Sequence, residues 1–147
     1  MTDIIFEYEG VLDKYMGDAM MAIFGVPVRH DDHASRAVSA AVKMLDEHKK
    51  FCAELDEAKR FGMRIGINTG EVVAGYMGAA RRMEYTVLGR PVVVAKRLES
   101  MAEVNSIYVG PQTYREGRES FDFHCLGKMK SPKGEEVEAY RVSGRKS

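Results

Sequence analysis

A lysine, a glycine and an aspartate stand close together near the start of the chain, at Lys14, Gly17 and Asp18. An aspartate that follows glycine in a turn can approach a Mg²⁺ ion closely, because glycine adds no side-chain bulk. Magnesium sites in proteins combine one or two carboxylates with substrate phosphates and waters. Asp18 is therefore a candidate metal ligand. Gly-Asp alone is a weak signal, since aspartate also favours turns for structural reasons.

Two short runs on either side of this aspartate show how it could be positioned. Residues 12–15 (LDKY) and 19–24 (AMMAIF) are prone to form strands, and the second run is wholly apolar. Two such runs around a short Gly-Asp connection indicate a β-hairpin, so we expect Asp18 at an exposed tip. A further apolar run at 4–8 predicts an earlier strand.

The remaining chain alternates helical and extended patterns. Asp31 and Asp32 suit a helix start, and apolar residues at helical spacing, with His48 among them as a core-edge residue, continue that helix to about residue 59. The later patterns predict, in order, strands at 63–68 and 71–76 turned by Thr69-Gly70, a basic loop at 78–83, a strand at 85–88, a helix at 91–102, a strand at 107–109, a helix at 111–118, and strands at 121–126 and 137–142. We expect one α+β domain over 1–147, a ferredoxin-like sandwich with helices packed on one mostly antiparallel sheet.

Four segments, taken together, resemble the class III nucleotide cyclases in order and spacing. They read LDKYMGDAMMAIFG at 12–25, GINTGE at 66–71, RMEYTVLG at 82–89 and VAKRLE at 94–99. The resemblance implies a cyclase catalytic domain that works as a head-to-tail dimer, either a homodimer or a pair with another cyclase domain. It also implies ATP as substrate and a two-metal site for Mg²⁺ or Mn²⁺. In such dimers one protomer supplies two metal aspartates, and its partner supplies the groups that contact base and phosphates.

The resemblance also implies a role for each residue that matches a functional position of the family. Asp18 matches the second metal aspartate, and Arg97 matches the arginine that stabilises the transition state, although a surface helix salt bridge is the structural alternative for Arg97. Lys14 and Thr86 match the pair that reads the purine: a lysine can donate to adenine N1, and a threonine hydroxyl can accept from the N6 amino group. Lys133, in a Lys-Gly pair, resembles the lysine that reaches the terminal phosphates, with a spacing one residue shorter than usual.

Two departures from the family pattern bear on turnover. The family's opening strand, with an aspartate before Gly-Phe-Thr, belongs well upstream of the hairpin, and only 17 residues precede Asp18 here. We therefore expect an N-terminally truncated domain with one metal aspartate. Val93 also stands where the family has an asparagine, and losing one such donor typically costs about 10²–10³ in rate. The alternative to an impaired adenylate cyclase is an inactive homologue that binds nucleotide or regulates a partner through dimerisation.

Composition limits the other possibilities. Lys and Arg total 22, as do Asp and Glu, so no net field draws the chain to nucleic acid or to a membrane surface. No apolar run approaches the ~20 residues needed to cross a bilayer. Cys52 and Cys125 lack metal-ligand spacing and suit a reducing compartment. We expect a cytoplasmic domain without membrane contact of its own, free-standing or carried by a larger membrane-attached protein.

Overall fold

The computed structural model describes residues 2–16, 19–25, 30–59, 61–79, 82–130 and 134–145. Side chains are described in those ranges except at residues 2, 14–16, 76–79 and 82–86. The elements are, in chain order, α1 (Thr2–Glu7), β1 (Val11–Met16), β2 (Ala19–Ile23), α2 (His33–Ala53), a 3₁₀ turn (Glu57–Lys59), β3 (Arg64–Ile67), β4 (Val73–Ala79), β5 (Arg82–Leu88), α3 (Arg90–Met101), β6 (Ser106–Val109), α4 (Pro111–Gly117), β7 (Phe121–Lys130) and β8 (Glu136–Arg145). This mixture of helices and mainly antiparallel strands confirms the α+β class.

The strands are distributed over three hydrogen-bonded sheets within the described ranges, where the sequence predicted one. A four-stranded sheet has the order β3-β6-β8-β7, in which β3 runs parallel to β6 and the other pairs are antiparallel. β1 and β2 form the predicted hairpin. β4 and β5 form another hairpin, with Val73 opposite Leu88 and Ala79 opposite Arg82.

Two predictions about the middle of the chain are wrong. β3 does not turn back onto β4 at Thr69-Gly70, because β3 pairs with β6 and β4 pairs with β5. Most of the predicted loop at 78–83 belongs to strands β4 and β5. Polar, basic composition indicated a loop there, but a strand with a solvated face also carries polar residues.

Helices cover both faces of the four-stranded sheet. Side chains alternate across β6, so Ile107 and Val109 pack with Val38 of α2, while Tyr108 between them packs with Leu98 of α3. All five of these residues are at most 2% exposed. The sheet is therefore a rigid layer between α2 and α3, and α3 carries the candidate site residues.

The N-terminal segment corrects another prediction, because residues 4–8 belong largely to helix α1 rather than to a strand. Ile4 and Ile5 are 8% and 1% exposed, and a Cβ built on Gly10 would come within 2.9 Å of the Ile5 side chain. A short apolar run does not distinguish a buried strand from a buried helix by its periodicity. Burial of the two isoleucines decided the outcome.

Helix α2 ends at Ala53, earlier than predicted. The chain then returns so that His48 Nε2 lies 2.8 Å from the carbonyl oxygen of Phe61, and His48 is 3% exposed. At the other end, Asp32 precedes the helix as expected, but its carboxylate accepts a 2.8 Å bond from Arg36 Nε. That hydrogen bond lowers the pKa of Asp32. No helix in the described part of the chain is long and apolar enough to cross a bilayer.

Candidate active site

Helix α3 follows β5 directly, through Gly89 at a φ of 144°, a conformation that glycine adopts without the strain a Cβ would add. Pro91 stands in the first turn, as the sequence predicted. The helix lies very close to β3, because a Cβ built on Gly66 would be 2.3 Å from the backbone oxygen of Ala95. Only glycine allows this approach, which fixes the height of α3 above the sheet.

The segment GINTGE at 66–71 supports α3 beyond Gly66. Asn68 Nδ2 donates to the carbonyl oxygen of Pro91 at 3.1 Å. A Cβ on Gly70 would lie 2.6 Å from the Pro91 ring. Thr69 Oγ1 lies 2.7 Å from Oγ1 of the fully buried Thr113. This matching segment therefore positions the helix that carries Arg97.

Arg97 is the predicted site residue that the structure describes most fully. Its side chain is 16% exposed, and both terminal nitrogens donate to the carboxylate of Glu135, with Nη2 2.9 Å from Oε1. Arg90, two helical turns earlier, places Nη2 3.7 Å from Glu135 Oε2. Two guanidinium groups therefore converge on one carboxylate. Arg97 does form an ion pair, but its partner lies 38 residues along the chain rather than on its own helix.

Val93 lies one helical turn before Arg97 and is 46% exposed. Residues four apart in a helix lie on the same side, so position 93 is next to Arg97 along the surface of α3. A half-exposed position accepts a polar side chain without an unpaired buried group. The valine removes a donor from this surface and contributes little to the core.

The base-reading pair is placed only in part. Lys14 lies in β1 opposite Met21, and Thr86 lies in β5 opposite Gly75. Both side chains are outside what the structure describes, so their predicted contacts with a purine stay predictions. Thr86 is nonetheless on the strand that runs into α3, four residues before that helix begins.

Asp18 and Lys133 lie outside the described residues. Met16 and Ala19, on either side of 17–18, are paired in the hairpin. Glu135, two residues after Lys133, contacts Arg97. Across the described ranges, no three or more His, Cys, Asp or Glu side chains are grouped to hold a metal ion. Metal binding at Asp18 therefore stays a prediction.

Glu135 is the site residue that sequence reasoning missed. It follows Gly134, which has a φ of 86°. A single glutamate in the charged stretch KGEEVE does not stand out by its type or spacing. Its nearness in sequence to Lys133 was the available signal, and that signal did not predict an ion pair with Arg97.

Comparisons with known proteins identify the family and match this fold. A model of the adenylate and guanylate cyclase catalytic domain matches residues 5–144. Adenylyl cyclase CyaB from P. aeruginosa has a TM-score of 0.88 and 32% identity, covering 99% of this chain and 77% of that chain. The guanylate cyclase domain of RhGC from Catenaria anguillulae, solved in complex with GTP, has a TM-score of 0.83 and 28% identity, covering 99% and 78%. The chain belongs to the class III adenylate and guanylate cyclase family.

The chain spans only a small part of the curated relatives that it matches. The receptor-type guanylate cyclase gcy-28 of Caenorhabditis elegans is 31% identical over 121 residues, which make up 78% of this chain but 9% of that protein. The similar proteins include both adenylyl and guanylyl cyclases. Family membership therefore leaves the choice between ATP and GTP open.

Proposed function

We propose that this chain is an adenylate cyclase catalytic domain that converts ATP to 3′,5′-cyclic AMP and pyrophosphate. The ribose 3′-oxygen attacks the α-phosphorus, and the bond from that phosphorus to the pyrophosphate oxygen breaks. The observation that supports the proposal is the Arg97 fork, whose two terminal nitrogens already hold a pair of anionic oxygens. A guanidinium with this geometry suits the charge that builds up on a transferred phosphoryl group.

The other roles follow the family pattern. Lys14 and Thr86 select adenine by donating to N1 and accepting from the N6 amino group. Guanine carries N1–H and O6 instead, so it would place a donor against the lysine, and such polar mismatches can discriminate strongly. Lys133 contacts the terminal phosphates. Asp18 offers the carboxylate oxygens that Mg²⁺ and Mn²⁺ prefer, and a metal bound there would neutralise phosphate charge.

The assembly and setting belong to the same proposal. The chain acts in a head-to-tail dimer, with a second copy or with another cyclase domain, so that Asp18 and Arg97 of one chain serve different active sites. It works in the cytoplasm, alone or as a cytosolic part of a larger membrane-attached protein. Val93 supports a second candidate, an inactive homologue that binds nucleotide or regulates a partner, because valine offers no hydrogen-bond donor beside Arg97.

The test is product formation from each nucleotide. Purified chain is incubated with ATP or GTP and with Mn²⁺ or Mg²⁺, and cyclic nucleotide is measured by mass spectrometry. We expect slow formation of cyclic AMP from ATP, lost in Arg97→Ala. Cyclic GMP as the main product would contradict the assignment of Lys14 and Thr86. Nucleotide binding without product from either nucleotide, with either metal ion, would favour the inactive homologue.

Nucleotide choice gives a sharper prediction. The double variant Lys14→Glu and Thr86→Cys presents the side chains that guanylate cyclases typically carry. We expect its ratio of GTP to ATP affinity to rise at least about 10²-fold, because a glutamate accepts from guanine N1–H and repels adenine N1. Affinity is measured by competition against a fluorescent triphosphate, so the readout does not require turnover. Lys43→Glu, with the same charge change on helix α2, is the control and should leave the ratio unchanged. An unaltered ratio in the double variant would show that these positions do not read the base.

A further inference from the structure

The carboxylate of Glu135 forms ion pairs with two arginines of helix α3. Arg97 uses both terminal nitrogens on this carboxylate, and Arg90 lies 3.7 Å from it. A phosphate accepts the same paired N–H donors from a guanidinium fork as a carboxylate does. An anionic oxygen pair and Glu135 therefore cannot both use this face of Arg97 at the same time.

We propose that Glu135 competes with the triphosphate for Arg97 and thereby sets the affinity of the site for its substrate. This inference rests on the proposed function, since it takes Arg97 as a phosphate-binding group. In the empty protein the carboxylate stands in for phosphate. When the nucleotide binds, Glu135 leaves the fork and moves towards solvent.

Exposure supports such an exchange. The Glu135 side chain is 44% exposed and that of Arg97 is 16% exposed. The carboxylate can therefore regain water when it leaves, whereas the backbone that carries Arg97 belongs to α3, which packs closely on β3 at Gly66. Partly exposed ion pairs contribute little net free energy, so a triphosphate with several charges can displace this one.

Glu135 is also close in sequence to another proposed phosphate-binding residue. Glu135 follows Gly134 and precedes β8, which starts at Glu136. Lys133, the proposed contact for terminal phosphates, is two residues away. Replacing Glu135 should therefore alter the affinity for the triphosphate without altering the choice between ATP and GTP.

The test is Glu135→Gln, an uncharged side chain of the same shape, with inorganic tripolyphosphate as the probe. Binding is measured by calorimetry on the whole chain in EDTA, so that neither the base-reading residues nor a metal at Asp18 contributes. We expect tripolyphosphate to bind roughly five- to thirtyfold more tightly to Glu135→Gln, because a competitor and a negative charge are both removed. Adding Arg97→Ala to this variant should abolish the gain.

Glu136→Gln is the matched control, since it removes the same charge one residue further on, and it should change the affinity less than about twofold. An equal gain in both variants would reduce the effect to general charge and overturn the proposal. Weaker binding to Glu135→Gln would also overturn it, by showing that Glu135 holds Arg97 ready for phosphate. In a cyclase assay, loss of the competitor in Glu135→Gln should appear as a lower KM. A lower kcat in this variant would indicate instead that Glu135 positions Arg97.

Failure of the proposed function would look different. A gain in tripolyphosphate affinity in Glu135→Gln without any cyclic nucleotide from ATP would support Glu135 as the competitor and contradict the proposed adenylate cyclase activity. Cyclic AMP formation without a gain in affinity in Glu135→Gln would support the activity and contradict the competition. Thermal unfolding of each variant ensures that a folded protein is compared in every case.

Discussion

Val93→Asn is expected to raise cyclase turnover by about 10²-fold or more, because it restores a hydrogen-bond donor beside Arg97. Position 93 is one turn before Arg97 on α3 and 46% exposed, so the amide can reach the same surface without burying an unpaired group. In the proposed reaction this donor would lie where charge develops on the phosphate, so kcat should rise and KM should change little.

The measurement uses a mixed dimer, in which a partner domain supplies the metal-binding aspartates. This chain is mixed with an active cyclase domain of the same family in which the arginine matching Arg97 has been replaced, so that only the mixed site can turn over. That site combines the partner's metal aspartates with Lys14, Thr86 and Arg97 of this chain. Cyclic AMP is then compared between the original chain and Val93→Asn. Lys96→Asn, which adds an amide at an exposed position of the same helix, is the control. No increase in Val93→Asn above this control would show that position 93 does not limit turnover.

Gly66→Ala is expected to lower the free energy of unfolding by about 3 kcal/mol or more, a large effect for one methyl group. The new Cβ would lie 2.3 Å from the Ala95 oxygen and 2.4 Å from the Glu99 nitrogen. Both are backbone atoms of α3, so no side chain can rotate away, and the helix must move off β3. Because Arg97 lies between these two residues on α3, binding of tripolyphosphate should weaken as well.

Gly75→Ala is the matched control for this substitution. Gly75 is also a strand glycine, in β4, and a Cβ there would have no described atom within 4 Å. We expect its unfolding free energy to change by less than about 0.5 kcal/mol, the usual range for a substitution at an uncrowded site. Chemical denaturation of both variants measures the difference. Equal stability of the two would mean that α3 does not depend on close approach to β3.

Local signals in the sequence predicted several elements correctly. The hairpin β1–β2 follows from two strand-prone runs joined by Gly-Asp, and α3 and α4 each begin with a proline in the first turn. Such signals act over a few residues, through turn geometry and the fixed φ of proline. The alignment of four short segments with the cyclases is likewise a property of the sequence, and the comparisons confirm that family.

Pairing across long separations was beyond these signals. β3 lies parallel to β6, some forty residues later, rather than against the nearby β4. Apolar residues at 4–8 form a helix because Ile4 and Ile5 find a buried position there. In each case the sequence allowed more than one arrangement, and burial of apolar surface across the whole domain selected one.

The same division applies to the site. By itself the sequence determined the residue types on α3, their spacing, and the family whose chemistry they fit. Only the tertiary structure revealed that Gly66 sets the height of that helix and that Glu135 holds the fork of Arg97. The physical reason is that an ion pair between residues 38 apart depends on how the segment before β8 meets α3, and no local preference of either residue encodes that meeting.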